Sequence, residues 1–128
     1  MSYHISKIVK DDFNTAIDKV KEELAKEGFG ILTDIDIKST FKNKLNINFN
    51  NYRILGACNP DLAYEALKAE NKIGTMLPCN VIVQEHDNDE VEVSAVDPVA
   101  SMMSVGNDEL GDVAMAVQTK LKRVIDSL

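Results

Sequence analysis

The sequence predicts a single α+β domain, a mainly antiparallel sheet with helices packed on one face. Three observations carry this. Apolar spacing switches between strand and helix periods in the order β-α-β-(α)-β-α-β-β-α. Residues 79–85 and 90–96 are apolar runs around the polar turn His86-Asp87-Asn88-Asp89, which reads as a hairpin. Leu110, Val113, Val117, Leu121, Val124 and Leu128 repeat at alternating steps of three and four, the strongest periodic signal in the chain. A hairpin combined with long terminal helices fits helices layered on one side of an antiparallel sheet.

Each element has a local cause. Residues 2–9 alternate, with Tyr3, Ile5 and Val9 on one side and His4 and Ser6 on the other. Asp11 and Asp12 supply N-cap oxygens to a helix whose apolar stripe is Phe13, Ile17, Val20 and Leu24, and Gly28 ends it. Ile31, Thr33, Ile35 and Ile37 are expected on one face of a second strand, opposite Leu32, Asp34 and Asp36. A short helix is expected over about 39–45, and the Asn-rich stretch 46–51 reads as a loop. Tyr52 to Cys58 is a third strand. Asn59 caps the next helix, with Pro60 at its first turn, where a missing N–H is harmless. That helix runs to about Glu70, with Leu62, Ala63, Ala66 and Leu67 facing inward, and residues 71–74 close it. Asp97-Pro98 opens a connection through Met102 and Met103, and the last helix starts near Asn107 or Asp108. Strand parity groups Leu32, Leu55, Ile82 and Val96 with Asp34, Arg53, Gln84 and Glu92 on the sheet face away from the helices, a mixed surface for water, a ligand or a second subunit.

Length and charge narrow the function. The 128 residues and 14.2 kDa make one domain, residues 1–128, large enough for a core without disulfides or metals. Fourteen Lys plus Arg against 21 Asp plus Glu leave a net charge of −7. A chain this acidic repels phosphate backbones and anionic lipid, so neither nucleic acid nor membrane is an expected partner. The N-terminal residues lack a basic region followed by a long apolar stretch, and no window approaches a membrane span, so a cytoplasmic address is expected. Two Cys do not make a secreted disulfide scaffold.

Two short blocks concentrate the chemistry: Leu55-Gly56-Ala57-Cys58-Asn59-Pro60 and Leu77-Pro78-Cys79-Asn80-Val81. Each sets a Cys beside an Asn and near a Pro at an element boundary. Cys58 ends a strand just before a helix N-terminus, whose N–H groups and dipole favour a thiolate. If the two strands are neighbours, Cys58 and Cys79 approach each other, which suits a reversible dithiol or part of a soft-metal site. The competing reading is two small buried apolar side chains. Arg53, inside a strand, is a weaker anion-binding candidate, against an ordinary ion pair with Asp34 or Asp36. His4 and His86 are expected to be exposed. They lie outside any zinc-ligand spacing, so neither a metal nor a cofactor is expected from them. Met76, Met102, Met103 and Met115 read as core filler or as thioether donors. The Gly28-Phe29-Gly30 pair lacks the third Gly of a dinucleotide fingerprint, and the turn Asp87-Asn88-Asp89-Glu90 lacks the Gly and terminal Glu of a calcium loop.

Residues 28–36 (Gly-Phe-Gly-Ile-Leu-Thr-Asp-Ile-Asp), residues 52–60 (Tyr-Arg-Ile-Leu-Gly-Ala-Cys-Asn-Pro) and residues 77–81 (Leu-Pro-Cys-Asn-Val) resemble the signature blocks of one uncharacterised prokaryotic family, domain of unknown function three hundred and two. The resemblance covers nearly the whole chain. It implies a fold like the TATA-binding-protein half-domain, a β-α-β4-α unit with a curved antiparallel sheet and helices on one side, once the short central helices are treated as insertions. It also implies self-association, here as a homodimer, and no assigned activity. It does not imply DNA binding, against which the acidic balance argues separately.

Two functional expectations follow. The first is a small-ligand or thiol-chemistry site at Cys58, Asn59, Cys79 and Asn80. Cys58 would be the more reactive thiol and the two Asn would be orienting amides. The second is a non-catalytic homodimeric interaction module with structural cysteines, in which the open sheet face binds a second copy and changing Arg53 or Leu55 disrupts it. Soft-metal binding through both thiols and the Met102-Met103 pair is a third.

Overall fold

The computed structural model describes residues 2–128. Strands β1 (His4–Val9), β2 (Gly30–Asp36), β3 (Tyr52–Cys58), β4 (Cys79–Glu85) and β5 (Val91–Val96) form one open sheet. Its order is β1-β5-β4-β3-β2, and every neighbouring pair is antiparallel. Helices α1 (Phe13–Lys26) and α5 (Leu110–Asp126) cover one face. The remaining helices are α2 (Ile37–Leu45), α3 (Pro60–Ala69) and α4 (Pro98–Met102), with 3-10 turns at Ile73–Met76 and Met103–Val105. The strand order, with α1 after the first strand and α5 after the last, is that of the TATA-binding-protein-like unit, and α2, α3 and α4 are carried in its connections.

The caps explain where helices begin. The Asp12 carboxylate accepts from Thr15 N at 2.8 Å, and Gly28 leaves α1 at φ +85, a conformation that favours glycine. Asp36 caps α2, accepting from Ser39 N at 3.0 Å, so that helix starts at Ile37, two residues earlier than its spacing predicts. Phe13, Ile17, Val20 and Leu24 on α1 and Leu121, Val124 and Ile125 on α5 enter a core closed by Leu55, Val81, Val83, Val93 and Ala95 from the sheet. Full burial of each large aliphatic contributes about 1.5–3 kcal/mol. A smaller cluster of Ala66, Ile73, Met102, Leu110 and Ala114 joins α3, α4 and the start of α5.

The register corrects the assignment of sheet faces. Leu55 pairs with Val81, which pairs with Ala95, and all three are fully buried on the helix side. Leu55 is therefore a core residue rather than part of the opposite face. Arg53 and Asp34 share that covered side, at its margin beyond the reach of the central core. Ile54 and Ile82 pair on the other side, in line with Ile35, Ser94 and Ser6. The expected row Ile31, Thr33, Ile35 and Ile37 is broken because a bulge between Ile31 and Thr33 adds Leu32 to the edge strand and reverses parity there. Leu32 stands exposed at that bulge, and Ile37 belongs to α2.

Candidate functional site

β3 and β4 are neighbours, and Ala57 pairs with Cys79, so Cys58 lies one residue beyond the cross-strand partner of Cys79. Strand geometry puts the two Cα atoms about 6 Å apart. Both cysteines are free, Cys58 half-buried and Cys79 buried, and both line one small cavity with Phe29, Leu77, Pro78 and Met102 among its other walls. The cavity measures about 20 Å³. That is room for one water or one ion rather than a metabolite. Burial pushes the Cys79 thiol up to about 11, and the nearby Cys58 adds to the shift by opposing a second negative charge. At neutral pH Cys79 is a protonated thiol.

Asn59 is committed to the fold. Its Oδ1 accepts from Leu62 N at 3.3 Å as the α3 cap, and its Nδ2 donates to the Glu27 carbonyl at 3.2 Å. This amide joins the start of α3 to the end of α1. It also occupies the space beside Gly28, where a Cβ would meet Nδ2 at 3.0 Å. Asn80 pairs with Gly56 and is exposed on the uncovered sheet face, away from the cavity. Gly56 is required there: a Cβ would collide with the Thr33 hydroxyl and lie 2.7 Å from the Pro78 ring. The four Cys and Asn residues thus divide. Cys79 faces the helix side with its partner Ala57, Asn59 caps α3, and alternation turns both Cys58 and Asn80 to the opposite face.

Arg53 donates to both oxygens of Asp34, at 2.8 and 3.1 Å, and Lys21 from α1 donates to the same carboxylate at 3.2 Å. These two cations hold the Asp34 carboxyl below its ordinary value, with the Arg53 hydrogen bonds contributing most. Arg53 is placed in an ion pair that links β2 and β3 and joins α1 to them.

The uncovered face forms a second candidate surface. Its central row is Ile35, Ile54, Ile82, Ser94 and Ser6; Thr33, Gly56, Asn80, Val96 and His4 flank it on one side and Tyr52, Gln84, Glu92 and Ile8 on the other. Four of the eight polar side chains in these rows, His4, Ser6, Ser94 and Glu92, have side-chain partners. Ser6 donates to Ser94 at 2.7 Å and lies 2.6 Å from His4 Nδ1. His86 Nε2 lies 2.9 Å from Glu92. Phe41 and Phe49 extend the apolar surface to Tyr52 through tilted aromatic contacts. Parity arithmetic missed this face because both Ile54 and Leu55 are large aliphatics, so alternation alone does not say which one is covered.

Among the described residues, no three His, Cys, Asp or Glu side chains gather as a metal-holding group. No helix of the described residues is long and apolar enough to cross a membrane. Met102 lines both the small cavity beside the cysteines and a groove of about 280 Å³ between α4 and α5, which Met103 and Met115 also line.

Comparison with known proteins follows the same outline. The chain matches the family described as domain of unknown function DUF302 over residues 5–128, a span containing all three signature blocks. It is similar to an uncharacterised conserved protein of that family from Bacillus stearothermophilus, whose crystal structure agrees with a TM-score of 0.92 over 98% of each chain at 24% identity. That likeness shows the fold. No curated protein matches the chain.

Proposed function

The chain belongs to the family described as domain of unknown function DUF302, and on that footing we propose that it is a non-catalytic self-association module whose open sheet face receives a second copy of itself. The observation that carries this is the character of that face. In a chain that is 27% charged, its three rows hold a single carboxylate, Glu92, and that one is paired with His86. Two copies carrying −7 each repel one another over most approaches. A nearly neutral face with exposed Ile8 and Ile35 around Ile54 and Ile82 supports close approach.

Size is adequate. Five strands about 4.8 Å apart and six residues at about 3.3 Å span a plane of about 480 Å². Two such faces reach about 1,000 Å² before side-chain relief is added, the lower bound for a specific interface. The serine–serine and histidine–glutamate pairs lower the cost of removing water from the face, and Thr33, Tyr52, Asn80 and Gln84 remain to hydrogen-bond the second copy.

A small-molecule site at the cysteines has less support. The cavity is too small, Cys79 is a weak acid, and the Asn59 amide is already spent on two backbone partners.

Sedimentation equilibrium of the unaltered chain and of Ile54→Lys tests the reading. The unaltered chain is expected at twice 14.2 kDa, and Ile54→Lys, which sets a charge from each copy into the joined faces, at the single-chain mass. An unaltered chain that stays at the single-chain mass at every concentration, or a folded Ile54→Lys that stays paired, would overturn it.

A further inference from the structure

We propose that the groove between α4 and α5 is a docking site for a basic amphipathic helix of a partner protein, whose apolar face meets the methionines and whose cations meet Asp108 and Asp112. The groove measures about 280 Å³, just under the range of ordinary ligand pockets. It is open to solvent: Met103 and Met115, which line it, are each 59% exposed, while Met102, Leu110 and Ala114 are buried along it. Unbranched thioether side chains at a surface re-pack around an incoming apolar face.

Gly111 is a second, independent observation. It lines the groove in the first turn of α5, and a Cβ there would meet no atom within 4 Å. Nothing within the chain requires glycine at this position, and alanine is the better helix former. The missing side chain leaves the groove open for the close approach of another backbone.

Charge and shape set the class of partner. Residues 73–119, which include α4 and the first part of α5, hold nine Asp or Glu and no Lys or Arg. Asp108 lines the groove, and Asp112 follows Gly111 in α5. Among the described residues neither forms an ion pair. Two unpaired carboxylates attract a cationic partner and repel nucleic acid and anionic lipid. Both walls are helices, whose backbone groups are bonded internally, so an added strand finds no ladder to join. A helix laid in the groove remains. The stretch of α5 from Leu110 to Met115 rises about 8 Å, enough to receive apolar anchors at i and i+3 or i+4 of an incoming helix. None of these residues belongs to the open sheet face, so failure here leaves the pairing of sheet faces standing.

The test uses a synthetic amidated peptide of about 15 residues, long enough to be helical. Leucines lie on one face, lysines on the other, and one tryptophan serves as reporter, since the chain itself has no Trp. Saturable one-to-one binding is expected, weakening as salt is raised. The methyl resonances of Met103 and Met115 are expected to shift on binding, while the δ1 methyls of Ile54 and Ile82 hold still. Gly111→Leu, which fills the groove, and Asp108→Lys are each expected to weaken binding about tenfold or more, as loss of a central contact does. Circular dichroism establishes that each variant is folded, and Asp108→Lys with the methyl map suffices if Gly111→Leu does not fold. Absence of saturable binding, equal binding of a peptide with the same residues scrambled out of helical spacing, or unchanged affinity in folded Gly111→Leu or in Asp108→Lys would overturn the proposal. Shifts at Ile54 and Ile82 instead of the methionines would place the peptide on the sheet face and overturn it equally. Met103 and Met115 methyls that move on dilution of the chain alone would show a second copy in the groove, and that too would overturn it.

Discussion

Ile54 and Leu55 are adjacent in β3 and point to opposite faces: Leu55 is fully buried against Val81 on the helix side, while Ile54 pairs with Ile82 on the uncovered side. Their substitutions are therefore expected to fail differently. Leu55→Ala opens a cavity in the core and should lower the unfolding free energy by about 2–5 kcal/mol. Ile54→Lys should leave the stability of the single chain within about 0.5 kcal/mol, as surface changes do, while separating paired copies. Urea unfolding of both variants at low concentration, beside their sedimentation, distinguishes a core residue from an interface residue.

Cys79 makes stability depend on alkaline pH. Its folded value, about 11, lies above its ordinary 9.0, so the folded state holds the proton more tightly. This contribution is fully present below pH 9 and is lost as pH rises through about 11. The slope is about 1.4 kcal/mol per pH unit and the total about 3 kcal/mol. Cys79→Ala is expected to remove that slope. Native alkylation read by peptide mapping should leave Cys79 unlabelled at neutral pH until the protein unfolds.

The Arg53–Asp34–Lys21 cluster acts at the other end of the scale. Its cations depress the Asp34 carboxyl below 3.8, so the contribution is present above the ordinary value and is lost as pH falls through the folded one. Asp34 and Arg53 are both partly open to solvent. The expected effect of Asp34→Asn is therefore about 1 kcal/mol or less at pH 7, shrinking toward zero at strongly acid pH. Denaturant midpoints at the two pH values check the sign.

Asn59 has a structural role that its neighbours in sequence do not reveal. Asn59→Ala removes the α3 cap and the bond to the Glu27 carbonyl, and should lower stability by about 1–2 kcal/mol. Asn59→Asp keeps the cap acceptor and loses only the donor, so most of the stability should return. Thermal unfolding of the pair separates this role from ligand orientation, which would leave stability unmoved.

Much of this was readable from residues in order. Asp12, Gly28, Asn59 and Pro60 mark helix ends through requirements confined to one turn, and the α5 stripe is long enough to be unambiguous. The sheet faces were harder, because alternation along β3 distinguishes Ile54 from Leu55 without saying which one the helices cover. That choice depends on α1 and α5 packing from far along the chain. Leu32 adds a residue at an edge strand, where no partner on its outer side constrains the register, and so reverses the expected row. The neighbouring of β3 and β4 brings the backbones of Cys58 and Cys79 close, but because Ala57 and not Cys58 is the partner of Cys79, alternation turns the two side chains to opposite faces. Asn80 was grouped with Cys79 by adjacency in sequence, and strand alternation parts them.

The most direct test of self-association through the open face is a dilution series followed by isoleucine methyl resonances. The δ1 methyls of Ile35, Ile54 and Ile82 are expected to shift together with concentration, while those of the buried Ile17, Ile73 and Ile125 hold still. Concentration-independent shifts at Ile54 and Ile82, or shifts confined to residues outside that face, would contradict the account.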